Sequence, residues 1–208
     1  MAWLATTIRV GVAVLALMTV ANNARAAVQY LGLSDQSAVA EFAGTDTSTC
    51  VSGVVTHVSL QAGFSVISSP GSTTSSPLAN VTIAIYDNCR NLQLVFAQGF
   101  TTNFDLRVDP TLKTAHLHAR ILVGDAVSNS SGYADVDVVW SGASMADRTT
   151  LNSVYQAPGL TITTHANGGI REAIASATVI YGGTDYTPEA SVSAFIEKGA
   201  FHEVTITH

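Results

Sequence analysis

Two alternating runs joined by five turn residues constrain this chain more than any other feature. Val81, Ile83 and Ile85 alternate with Thr82, Ala84 and Tyr86. Asp87, Asn88, Cys89, Arg90 and Asn91 then interrupt the pattern before Leu92, Leu94 and Phe96 resume it. A period of two is the signature of a strand with one buried face, and a polar break between two such runs predicts a β-hairpin. The period recurs along most of the chain. About nine or ten short strands, with turn signals every 8 to 12 residues and no convincing helix, predict an all-β fold, an antiparallel β-sandwich.

The N-terminus reads differently. Arg9 precedes an apolar run over residues 10–21, and Ala24-Arg25-Ala26 fits the small-x-small rule of a secretory cleavage site. Residues 1–26 are therefore expected to be a signal peptide, and residues 27–208 a single domain. The apolar run is about 12 residues, short of the ~20 that cross a bilayer as a helix, so no transmembrane anchor is expected after cleavage. Nine Lys/Arg oppose fifteen Asp/Glu, a net charge of −6; losing Arg9 and Arg25 takes it to −8. An acidic surface with no basic cluster repels phosphate backbones, which excludes nucleic acid as the expected partner.

Cys50 and Cys89 are the only cysteines. Outside the cytoplasm such a pair is expected to form a disulfide, stapling the central hairpin to the strand that opens at Cys50. Closing a loop of that length is worth about 4 kcal/mol in the chain-entropy picture. Two separate thiols, or half of a metal site, are the alternatives.

Along the chain, residues 28–33 and 37–42 suggest two short strands before a turn at residues 44–49, and a clearer strand runs from Cys50 to about Phe64. Residues 66–80, rich in Ser, Thr, Gly and Pro, read as a long loop. A second hairpin pairs residues 104–108 with 115–121; a turn over residues 109–112 would set Asp105 opposite His116. The next strand, residues 133–140, would set Asp137 beside Arg120. Residues 142–170 are less regular, with a short strand at 160–163, and residues 171–181 form a strand whose alanines would also suit a helix. A last hairpin turns at residues 197–200.

Chemistry is sparse. His116 and His118 are two apart on a strand and so point the same way, a spacing that can set two imidazoles on one zinc or copper ion, with Asp105 as a third ligand. Asp135 or Asp137 would then orient the rings from the second layer. Arg120 on the same face argues against a dication, and the competing expectation is a polar sheet face with cross-strand ion pairs. No other histidine has a partner at ligand spacing. Ser141-Gly142-Ala143-Ser144 is not a nucleophile elbow. There is no phosphate loop, dinucleotide fingerprint or calcium loop, so no catalytic residue and no bound cofactor are expected. Trp140, ending an alternating strand, is expected in the core rather than as a sugar-stacking platform.

Several stretches together resemble a group of exported bacterial proteins with a β-sandwich-like sequence pattern and no assigned activity: Cys50 opening a strand, Tyr86 to Cys89, Val136 to Gly142, Arg171 to Ser176 and Asp185 to Pro188. The resemblance implies an envelope or extracellular setting, secreted or periplasmic, and carries over no catalytic residue. The expected function is a secreted, non-enzymatic protein acting by surface contact on itself or on other envelope proteins. A metal-binding protein or metal-dependent enzyme built on the His-x-His strand, and a glycan or small-ligand module, are the alternatives.

Overall fold

A computed structural model describes residues 27–44, 54–187 and 191–208. It is all-β. The strands are β1 (Ala27–Ala43), β2 (Val54–Ser69), β3 (Ser72–Asp87), β4 (Leu92–Thr101), β5 (Phe104–Val108), β6 (Thr114–Asp125), β7 (Ser130–Gly142), β8 (Asp147–Ala157), β9 (Leu160–Tyr181), β10 (Thr184–Asp185) and β11 (Ser191–Thr207). Among the described residues all pairings are antiparallel and belong to one sheet of eleven strands, against the nine or ten expected.

Hydrogen bonding runs round a closed circuit, β1-β2-β3-β4-β6-β7-β9-β11 and back to β1. The side chains turned into this ring form the core. Phe42, Val58, Leu60, Val81, Ile83, Leu117, Ile121, Val136, Val138, Trp140 and Ile196 are all fully or almost fully buried. Among them sit many alanines, including Ala38, Ala40, Ala62, Ala79 and Ala97. Small inward residues let facing strands approach closely, so Trp140 reaches across to donate its indole N–H to the Val39 carbonyl at 2.8 Å. Phe64 likewise stacks on Phe104 with centroids 4.9 Å apart. The interior is apolar and the outward positions of β6 and β7 are mostly polar or charged. Among the described residues no helix is long and apolar enough to cross a membrane.

The central hairpin forms as the alternation predicts, with Asp87 accepting the N–H groups of Cys89 (3.0 Å) and Arg90 (3.1 Å) in its turn. Its second strand departs from expectation. A register shift at Ile85/Tyr86 puts Val95 and Ala97 opposite Ile85 and Ile83, so Leu92 and Leu94 point to solvent.

Four further corrections share one cause. Residues 28–33 and 37–42 are a single strand, β1. Residues 191–207 are likewise one strand, with no turn at 197–200. Residues 160–181 run unbroken as β9, preceded by β8 across a two-residue turn at Pro158-Gly159. Residues 66–80 are no loop but the far half of the β2–β3 hairpin, closed by Pro70-Gly71 with Gly71 at φ 77°. These strands continue past the ring as an arm, ordered β8-β9-β11-β1-β2-β3. Where ring meets arm, the polar and glycine residues that look like turns lie side by side: Thr149, Gly168, Gly199 and Asp35 form one cross-strand row. They break the alternation because polar residues and glycines occupy both faces of the sheet there, not because the chain reverses.

Asp125, at the end of β6, is buried and ties the β6–β7 turn to β4. Its carboxylate accepts the N–H groups of Phe96 (3.1 Å) and Val127 (3.0 Å) and the Ser128 hydroxyl (2.6 Å). Ser128 first, then the backbone donors, hold its pKa below the ordinary carboxylate value against the opposing effect of burial. A carboxyl depressed in the folded state contributes stability at pH above its unfolded value of roughly 3.9, and that contribution disappears as pH falls through the folded value. Asp125→Ala strands these donors, at a cost of about 1–3 kcal/mol. Urea titrations at pH 7 and pH 3 are expected to show a smaller gap between variant and wild type at the lower pH.

Candidate functional site

The His-x-His strand is β6, and its outward face is exposed. The β5–β6 hairpin is two residues out of the expected register: Asp105 pairs with His118, and Arg107 with His116. The cause is a longer turn. The Asp109 N–H reaches the Thr114 carbonyl at 2.9 Å, and the Asp109 carboxylate accepts the Thr111 N–H (2.8 Å) and the Thr111 hydroxyl. Leu112 adopts φ 60° and buries its side chain against Gly169 at the base of the ring. The same two-residue offset holds across β7, where Asp137 pairs with His118 and Asp135 with Arg120.

The result is a cross-strand ladder in which histidine and arginine side chains face carboxylates. His116 Nε2 lies 3.2 Å from both Asp137 oxygens, and His118 Nδ1 is 3.4 Å from Asp137 Oδ2. Arg120 lies 3.6 Å from Asp135 and stacks over Tyr133. Asp105, the expected third ligand, is held by Arg107 at 2.7 and 3.3 Å. The structure thus brings the two imidazoles together on one carboxylate, but that carboxylate is Asp137. Among the described residues no group of three His, Cys, Asp or Glu side chains has a geometry that could hold a metal ion. A pair of solvated imidazoles sharing an acid is an arrangement that polar sheet faces commonly use.

Cys89 is exposed in the β3–β4 turn. Cys50 lies outside the described residues, and so does the disulfide expected between them. The turn expected at residues 44–49 lies there too, apart from Gly44.

The arm carries the features that sequence reasoning missed. On its outward face Ile67, Leu33, Phe201, Ala166 and Leu151 stand in register across β2, β1, β11, β9 and β8. Both ends of this apolar row are about half exposed: Ile67 at 50% and Leu151 at 55%. Next to it the Gly168 and Gly199 row forms a trough of about 470 Å³ bordered by Asp35, Asp147 and Glu197. Desolvation first, and the Asp35 charge second, push the Glu197 carboxyl above its ordinary value. On the opposite face Tyr30, Val204, Thr163 and Val154 form a second row, and the Tyr30 hydroxyl meets His202 Nδ1 at 2.7 Å. The signal that would have exposed the arm is negative: runs of high strand propensity in which neither face is consistently apolar.

Comparison with models of known families, with curated proteins and with solved structures finds no match to this chain.

Proposed function

We propose that this chain is an exported, non-enzymatic protein that acts by surface contact, as a component of a cell envelope, an extracellular matrix or an adhesive layer. The observation that carries the reading is the arm. Leaving apolar area in water forgoes roughly 25 cal/mol per Å², and a contiguous apolar row across five strands, half-buried in the middle and exposed at both ends, marks a contact surface. The N-terminal pattern of residues 1–26 supports export.

A sandwich-like description of the ring is supported by the Phe64–Phe104 stack and the Trp140–Val39 bond, each of which joins two strands that do not pair with each other. A Cys50–Cys89 disulfide is supported by the pairing of Val54 with Asp87, which leaves the chain four residues beyond Cys50 opposite a residue two before Cys89. A glycan or small-ligand module is the second reading, favoured by the trough beside Phe201.

The test is made on intact producing cells and their medium. Expected are a chain starting near Ala27, a Cys50–Cys89 linkage in its peptide map, and exposure to added protease at the cell surface. Phe201→Asp, which puts a charge in the apolar row, should release the protein from the surface into the medium while leaving its circular dichroism unchanged. Retention unaffected by this change, or a chain found only in the cytoplasm, would sink the reading.

A further inference from the structure

The two open edges of the arm are unequal. At one, residues 72–78 of β3 form a short serine- and threonine-rich stretch that contains Pro77, a residue that cannot donate to a ladder. The other is β8. Its eleven residues pair with β9 from Asp147↔Ile170 to Ala157↔Leu160 without a register shift, and among the described residues β9 is its one partner. The other side of β8 therefore offers a row of backbone N–H and C=O groups.

Edge strands are usually blunted by proline, lysine, a bulge or brevity, and β8 has none of these. Its apolar side chains are in solvent: Leu151 is 55% exposed, Val154 63% and Tyr155 59%.

We infer that β8 is the docking edge for β8 of a second copy of this chain, paired antiparallel about a two-fold axis at Ser153. The inference rests on the surface-contact reading and names the partner. Charge selects the direction. The only charged residues of β8 are Asp147 and Arg148, both at its start. Parallel pairing would stack each on its own copy, whereas antiparallel pairing sends them to opposite ends.

Side-chain period and charge together select the register. Pairing must keep like faces together, so a residue meets one of the same parity. Centring on Ser153 is the longest such register that leaves Asp147 and Arg148 beyond the end of the facing strand, at Ala157. Leu151 then lies opposite Tyr155 of the second copy on the outward face, an aromatic–aliphatic pair of the kind that stabilises sheets. Asn152 lies opposite Val154 on the other face. The apolar row that ends at Leu151 continues onto the second copy. The operation closes, giving a dimer with a continuous sheet rather than an open fibre.

Sedimentation of the purified protein across a wide concentration range is expected to show a reversible monomer–dimer equilibrium. Leu151→Lys/Tyr155→Lys, at two exposed positions, should abolish the dimer with unchanged circular dichroism. Ser153→Cys should form an intermolecular 153–153 disulfide on mild oxidation, because directly opposed strand residues lie within disulfide reach. Thr149→Cys, opposite Ala157 in this register, should not link to itself. A monomer at every concentration, filaments, a dimer indifferent to the lysine pair, or equal self-linking at 149 and 153 would each overturn the inference. A wild-type chain that is monomeric yet held at the cell surface would overturn the dimer alone, whereas a wild-type chain never held at the surface would overturn the surface-contact reading.

Discussion

Gly99→Ala is expected to destabilise the fold by about 3 kcal/mol, although it adds one methyl group and leaves every polar group in place. Gly99 lies where β4 meets β6, paired with Val81 on one side and Val123 on the other. A Cβ there would sit 2.1 Å from the Leu122 carbonyl oxygen and 2.9 Å from the Val123 Cα. Both are backbone atoms, so no rotamer change relieves the clash and the strands must separate. The β4–β6 seam has only three residue pairs, Ala97–Asp125, Gln98–Gly124 and Gly99–Val123, and the circuit is closed there. Parting them exposes Val81, Ala97 and Val123 to water and loosens the Phe96 bond to Asp125. The ~0.8 kcal/mol gained by burying a methyl cannot offset that. Gly124→Ala is the control: it lies on the facing strand, with nothing within 4 Å of its added Cβ, and should be neutral or slightly stabilising. Urea midpoints decide the matter, and equal midpoints for the two variants would show that the seam does not close the ring.

The same geometry explains what the sequence could and could not reveal. Where one strand face is buried and the other wet, as in β6 and β7, alternation was sufficient: Ala115, Leu117, Ala119 and Ile121 point inward, His116, His118 and Arg120 outward. Turn chemistry also read correctly at Asp87 to Asn91, where the Asp87 carboxylate accepts the Cys89 and Arg90 N–H groups. Register was less legible. The Asp109 turn absorbs two extra residues to bury Leu112, and a two-residue slip preserves every facing, so hydrophobicity alone cannot detect it. That slip separated Asp105 from His116, and a separate slip of the same size between β6 and β7 set both histidines beside Asp137. The arm was the least legible part. Alternation depends on a dry side, and at Ser34-Asp35-Gln36, Glu197-Lys198-Gly199 and Asn167-Gly168-Gly169 the sheet has little or none. Strands passing through such a zone look broken in sequence, and binary patterning therefore omits the arm.

Trp140→Ala should be the most damaging single core change, at about 3–5 kcal/mol, toward the upper end for large-to-small substitutions. Trp140 is fully buried, and its cross-strand neighbours in the same row are Ala115 on β6 and Ala175 on β9. The row is one large residue between two small ones. Removing the indole leaves a cavity whose nearest walls are methyl groups too short to fill it, on strands fixed by their ladders. Trp140→Phe separates volume from polarity: it keeps most of the apolar contact but removes the donor to the Val39 carbonyl, and should cost about 1–2 kcal/mol. The only other tryptophan is Trp3, so in a chain that starts at Ala27 the emission reports this one site. Folded protein should emit at short wavelength and resist quenching by acrylamide. In urea the emission should shift together with the loss of far-ultraviolet dichroism, as expected when core and sheet melt in one step. An indole readily quenched in the folded protein would mean that β7 does not face β1 across the ring, and the arm that continues from β1 would lose the base on which its contact surface stands.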